Sequence, residues 1–257
     1  MASETAFAGA RVLVTGGGSG LGAALVDRFR DAGAEVLATD VSGALFRLDV
    51  TSEGDWAAAV DKVRRDWGRL DVLVNNAGVA GGGRIELCTV EEWEWILDVN
   101  LLGAVRGTRA FTPMFKQQRS GRIVNTASLA GLVHPAGMGS YNASKAALVA
   151  FTETTGHELA AYGVSAHAVC PSYFKTNLMA SLRGSDEAVG AVLRRLVDDS
   201  PTSAEEVAAA VLEAVASGEQ LILPDPAARA AHELKLNDRA AYDEVMRRQA
   251  AKLEELA

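Results

Sequence analysis

Arg11-Val-Leu-Val-Thr15 runs directly into Gly16-Gly-Gly-Ser-Gly-Leu-Gly22 and then into Ala23-Ala-Leu-Val-Asp-Arg-Phe-Arg-Asp-Ala32. An apolar run, a glycine-rich turn and an amphipathic stretch read as strand, turn and helix. Glycine lets the main chain turn sharply and approach a pyrophosphate with no Cβ between them. The helix that follows offers unpaired N–H groups and the positive end of its dipole to phosphate. A merely flexible loop would not end where an amphipathic helix begins. The turn therefore points to a dinucleotide contacted by Gly16, Ser19, Gly20, Leu21 and Gly22.

The next apolar run, Glu35 to Asp40, is a second strand. Asp40 lies where an acidic group meets the adenosine ribose hydroxyls of NAD, with Val41 beside it. A carboxylate there repels the 2′-phosphate of NADP, and no Arg or Lys inside the turn or just after Asp40 counters it. The alternative is a strand-end Asp that caps a turn. The glycine turn upstream favours the ribose role, and with it NAD over NADP.

Further on, strands are expected at 44–50, 71–75, 122–126, 164–170 and 220–223, and helices at 53–67, 98–116, 141–162 and 204–217. Strand–helix alternation with continuously apolar strands predicts an α/β fold: a doubly wound parallel sheet with right-handed crossovers. Only eight residues separate Asp40 from Asp49, too few for a crossover helix. No linker or repeat divides the chain, so residues 1–257 read as one Rossmann-type domain. Residues 225–257 read as a helical C-terminal extension with apolar positions at Tyr242, Val245, Met246 and Leu253. That extension is expected to pack on the body, with a partner-subunit contact as the alternative.

The formal net charge of −8 argues against a nucleic-acid footprint, which needs clustered Lys and Arg. The cysteines, Cys88 and Cys170, have no metal-ligand spacing, so no metal is expected and the thiols read as reduced. The N-terminus has no basic stretch followed by an apolar core, and no apolar run approaches the ~20 residues of a membrane helix. No membrane association and a cytoplasmic location are expected.

Tyr141 and Lys145 are four residues apart at the start of a helix and so share a face. Tyrosine titrates near about 10, and a neighbouring ammonium lowers that by favouring the phenolate. Such a spacing also arises by chance as a surface pair. Two further features argue otherwise. Ser128 follows a buried strand, and Asn75-Asn-Ala-Gly78 ends another on the same edge of the sheet, where ligands of open parallel sheets bind.

Together these motifs resemble the short-chain dehydrogenase/reductase family, in its compact branch, over roughly residues 8–224. Thr15-Gly16-x-x-x-Gly20-x-Gly22 looks like its cofactor turn, Asp49-Val50 like its adenine contact, and Asn76, Ala77 and Gly78 like part of its sheet-stabilising motif. Asn100, Ser128, Tyr141 and Lys145 match its catalytic tetrad; Pro171 and Thr176, with Phe174 between them, match its nicotinamide-side segment. The resemblance implies a small-molecule alcohol or ketone substrate, Tyr141 as general acid/base and Ser128 orienting the substrate oxygen. It implies that Lys145 bonds the nicotinamide ribose and lowers the tyrosine pKa, that Asn100 holds a water, and that the chain is a homodimer or homotetramer.

The chain departs from the pattern at Pro171-Ser172, where Pro-Gly is usual, and in the charged helices that replace a glycine-rich ending. Residues 172–201 are long for a connection and read as a lid. Tyr173, Phe174, Leu178, Met179 and Leu182 there, facing Leu129, Leu132, Val133 and Met138, predict an apolar substrate. His134 reads as an incidental turn residue, and Trp93 and Trp95 as packing. A non-catalytic NAD sensor on the same fold is the competing class, and it would be expected to have lost Tyr141 or Lys145; both are present.

Overall fold

The computed structural model describes residues 6–43, 46–184 and 186–255. Seven parallel strands form one sheet in the order β3-β2-β1-β4-β5-β6-β7. They are β1 (Arg11–Thr15), β2 (Glu35–Asp40), β3 (Phe46–Arg47), β4 (Val72–Asn75), β5 (Gly121–Thr126), β6 (Val164–Val169) and β7 (Leu221–Ile222). The outermost strands, β3 and β7, are two residues long. The winding direction reverses between β1 and β4, which opens a crevice at their carboxyl ends.

Successive side chains of a strand point to opposite faces, and β1 shows the result. Val12 and Val14 pack with Leu25 and Phe29 of α1 (Gly20–Asp31) and Val207 and Val211 of α8 (Ala204–Ser217). Leu13 packs on the other face with Trp56 of α2 (Glu53–Asp66) and Phe111 and Phe115 of α4 (Gly103–Gln118). Short polar residues mark the helix starts. Ser52 accepts the N–H of Asp55 at 3.1 Å, and Ser203 with Glu206 forms a capping box on α8.

Several elements differ from the sequence expectation. Of the strand expected at 44–50, only Phe46 and Arg47 pair with β2; residues 44 and 45 lie outside the described residues. Leu48 is buried, and Asp49 turns the chain toward α2 by accepting the N–H and hydroxyl of Thr51. The long helix begins not at residue 98 but with α3 (Val90–Leu97), passes through a π-helical turn at Asp98–Leu102 and continues as α4. Its start was legible, because Thr89 and Glu92 form a capping box there.

Two helices were not anticipated, α5 (Ala130–Val133) after β5 and α7 (Glu187–Asp198) inside the expected lid. Between them lies α6 (Gly139–Leu159). The extension forms α9 (Pro226–Asn237) and α10 (Arg239–Glu255) and packs on the body. Tyr242 donates to the carbonyl of Val133, Lys235 to that of Leu132, and Leu253 joins the apolar cluster containing Met138 and Val189. Val245 stays outside this contact. Among the described residues no helix is long and apolar enough to cross a membrane.

Candidate active site

The glycine turn is compact for steric reasons. Gly16 and Gly20 have φ of +64° and +51°, where a Cβ is disfavoured, and a Cβ on Gly22 would lie 1.9 Å from the carbonyl oxygen of Gly16. Thr15 is buried, and its hydroxyl accepts the N–H groups of Asn76 and Ala77, each at 3.0 Å. Asn76 Nδ2 in turn donates to the Thr15 carbonyl at 3.0 Å. The ends of β1 and β4 are thereby held together under the turn. Ser19, at the N-cap of α1, makes no side-chain capping bond, and the first turn carries no acid. The helix start thus keeps donors and its positive dipole end for an anion.

Asp40 closes this end of the site. Its Oδ2 accepts the N–H of Gly18 at 3.1 Å and its Oδ1 that of Ser42 at 3.4 Å. The carboxylate therefore both caps the turn after β2 and stands against the glycine loop. Val41 beside it is 58% exposed.

At the other end, the π-helical turn carries Asn100, which is 2% exposed. Its Oδ1 accepts the N–H of Val79 at 2.8 Å and its Nδ2 donates to the Val79 carbonyl at 3.0 Å, fixing the chain just beyond Gly78. Lys145 and Tyr141 project from the first turns of α6. Lys145 Nζ donates to the Thr126 carbonyl at 2.8 Å and lies 5.7 Å from the centre of the Tyr141 ring. Ser128, at the exit of β5, stands beside Tyr141 and accepts the N–H of Ala130 at 3.1 Å.

The electrostatics correct one expectation. The Lys145 ammonium was expected to pull the tyrosine pKa down. Instead burial pushes the Tyr141 hydroxyl up to about 12, a rise only partly offset by the neighbouring Ser128 hydroxyl. Burial also pushes the Lys145 ammonium down to about 8. Both groups are buried at the base of the site, so loss of hydration dominates their ionisation.

One cavity of about 1180 Å³ joins the two ends. All the expected cofactor contacts line it: Gly16, Ser19, Gly20, Leu21 and Gly22 at the turn; Asp40, Val41, Asp49 and Val50 at the adenosine end; Asn76, Ala77, Gly78, Pro171, Phe174 and Thr176 deeper in. Ser128, Tyr141 and Lys145 line it too, whereas Asn100 stands behind the wall against Val79.

The substrate-side wall is formed by Leu129, Met138, Tyr173, Leu178, Met179 and Leu182, as expected. Leu132 and Val133 do not reach it; they lie under the C-terminal helices, which take up their carbonyls. Trp95, Arg183, Leu193 and Val197 line it instead, and the Arg183 guanidinium sits 4.2 Å from the centre of the Trp95 ring. The four-residue spacing of Leu193 and Val197 was the available signal for these two. His134 faces away, its ring bonded to the Gly131 carbonyl at 3.1 Å and to Lys235 at 3.0 Å.

The lid is anchored at the start of α7. Asp186 caps that helix by accepting the N–H of Val189 at 3.2 Å and pairs with Arg84 at 2.8 Å. Burial draws its carboxyl upward, but the Arg84 guanidinium and two N–H donors outweigh this and hold it below the usual carboxylate range.

A doubly wound sheet, a glycine-rich turn at its switch point and a Tyr–Lys–Ser group on the same edge are the parts a dinucleotide-dependent oxidoreductase requires. Comparison with known proteins makes this specific. A family model described as short chain dehydrogenase matches residues 10–187, and the chain belongs to the short-chain dehydrogenase/reductase family. It is 37% identical over 221 residues to momilactone A synthase of Oryza sativa subsp. japonica, covering 78% of this chain and 81% of that protein. A short-chain dehydrogenase/reductase from Burkholderia phymatum, solved in complex with NAD, superposes with a TM-score of 0.84 at 31% identity, covering 91% of this chain and 95% of that one. A short-chain dehydrogenase from Burkholderia cenocepacia, solved with NADP, gives 0.81 at 26% identity and coverages of 93% and 98%. The chain is accordingly an oxidoreductase that acts on CH–OH groups with a nicotinamide dinucleotide.

Proposed function

We propose that the protein interconverts an apolar secondary alcohol and its ketone, with NAD preferred over NADP. The observation that carries this is the placing of Tyr141, Ser128 and Lys145 at the base of one cavity. Its far end is closed by Asp40, and its near wall is apolar. Gly16, Ser19, Gly20, Leu21 and Gly22 would hold the pyrophosphate. Asp40, Val41, Asp49 and Val50 would hold the adenosine, and Asn76, Ala77, Gly78, Pro171, Phe174 and Thr176 the nicotinamide half. The bound dinucleotide supplies or takes up the hydride.

The protein's own groups handle the proton. In reduction the Tyr141 hydroxyl gives its proton to the carbonyl oxygen, and in oxidation the phenolate takes it from the alcohol. Ser128 orients that oxygen, Lys145 bonds the ribose and completes the path from Tyr141 to solvent, and Asn100 fixes the main chain beside it. Proton transfer of this kind contributes about 10²–10⁴ in rate. Neighbouring structures hold NAD in one case and NADP in another, so the preference rests on Asp40 alone. We further propose that the chain is a cytoplasmic homo-oligomer, with α4 and α6 as the pairing faces.

Reduced-nicotinamide absorbance, followed over a panel of secondary alcohols and ketones with NAD and NADP in parallel, tests this. Turnover on apolar compounds that disappears in Tyr141→Phe is the expected result. A clear preference for sugar polyols would overturn the substrate class, and a preference for NADP would overturn the role of Asp40.

A further inference from the structure

The chain leaves β6 as Pro171-Ser172 and passes along the inner half of the cavity. A glycine is usual after that proline in the pattern this chain resembles, and the serine has a specific partner. Its main-chain N–H donates to Asp225 Oδ2 at 2.9 Å, and its hydroxyl donates to Oδ1 at 2.6 Å. The same Oδ1 accepts the N–H of Ala228 at 2.8 Å, the N-cap bond of α9. Asp225 is only 4% exposed, and these three donors compensate a charge that would be costly to bury alone.

Asp225 is itself held firmly. Pro224 precedes it and Pro226 opens α9, which restricts the backbone on both sides. The extension that begins at Asp225 is pinned further along by the Tyr242 and Lys235 bonds to α5. One carboxylate thus ties the exit of β6 to an element that also buttresses the loop after Ser128. It leaves the Ser172 N–H and hydroxyl already engaged, so the wall they belong to is set before any ligand arrives.

We propose that Asp225 is a positioning residue for the nicotinamide half of the cofactor, acting through Ser172. The proposal rests on the dinucleotide reading above. Its effect is preorganisation: a wall fixed in advance removes the ordering cost that a free Pro-Gly segment would bear on binding. The adenosine half, held by the glycine turn and Asp40 at the far end, lies outside its reach.

NADH and ADP-ribose, which share everything but the nicotinamide ring, separate the two halves. Both are titrated by fluorescence and calorimetry against the full chain and its Ser172→Ala, Asp225→Asn, Asp225→Ala and Ser172→Ala/Asp225→Ala variants, with a thermal melt of each. Asp225→Ala is expected to weaken NADH about tenfold and ADP-ribose less than about twofold, and Ser172→Ala to weaken NADH about threefold. Asp225→Asn, which keeps one acceptor, falls between wild type and Asp225→Ala. The double variant is no weaker than Asp225→Ala, because without Asp225 the Ser172 hydroxyl has already lost the partner that holds it. Ser172→Ala leaves the α9 cap intact, so its loss of NADH is expected with a smaller fall in Tm than that of Asp225→Ala; it also carries the test should Asp225→Ala fail to fold. Equal losses of NADH and ADP-ribose, additive losses in the double variant, or a lowered Tm with unchanged NADH affinity each overturn the proposal. If the wild type binds neither ligand, the dinucleotide reading falls; if wild type and Asp225→Ala bind both alike, only the positioning role falls.

Discussion

Tyr141 and Lys145 share one enclosure, and its consequence is a dependence on pH. With burial raising the hydroxyl to about 12, Tyr141 stands protonated at neutral pH, which suits it to give a proton to a ketone. Oxidation needs the phenolate, whose population grows about tenfold for each unit that the pH rises toward that value. The kcat/KM of alcohol oxidation is therefore expected to climb through the alkaline range, while that of ketone reduction does not share the rise. Paired pH profiles in the two directions check this, and an oxidation rate flat from neutrality upward would contradict it. At the other end, Asp40→Ser removes the carboxylate beside Gly18. The kcat/KM ratio of NADP to NAD is expected to rise at least about tenfold, since a like-charge contact with the 2′-phosphate is lost. The identities of these residues were legible because the chemistry requires them at set spacings. Their ionisation was not, since burial depends on what the rest of the chain packs around them.

At the scale of elements, α7 shows what periodicity misses. It lies inside a connection whose length reads as a lid, and its amphipathic stretch is only twelve residues long between polar flanks. Its first turn depends on Asp186, which both caps the helix and receives Arg84 from the loop after β4. Asp186→Asn is expected to lower Tm by roughly 5 °C. It is also expected to raise KM for substrate more than it lowers kcat, because Leu193 and Val197 reach the cavity from this helix. Melting curves with steady-state kinetics check both parts. The strand–turn–helix unit at Arg11–Asp31 was legible throughout, because a local steric need and a local apolar pattern coincide there. The start of α3 carries a capping box at Thr89 and Glu92, but Val90–Leu97 is rich in acid and breaks the apolar pattern of the longer helix.

For the whole molecule, the open question in the sequence was what the last thirty-odd residues do. Their charge and alanine content show helices but do not show which surface those helices cover. That surface is assembled from α5, the loop before α6 and α7, which lie far apart in the chain. Tyr242→Phe leaves the buried Val133 carbonyl without its donor and is expected to cost about 1 kcal/mol, read as a shift in the urea unfolding midpoint. An unchanged midpoint would show that water replaces the phenol. Leu132 and Val133, apolar and close to Ser128, do not line the cavity: the Leu132 side chain packs against the cluster of Leu148 and Val149, and the C-terminal helices take up both carbonyls.

The brevity of the two outer strands bears on how this chain behaves in a crowded solution. A sheet edge is a row of unsatisfied main-chain groups able to recruit another strand, and long flat edges invite fibres and precipitation. Here the edges at β3 and β7 offer two residues each, and Arg47 adds a charge to one of them. Such short margins give a foreign strand little to zip onto. The molecule is thereby guarded against end-to-end growth through its sheet edges.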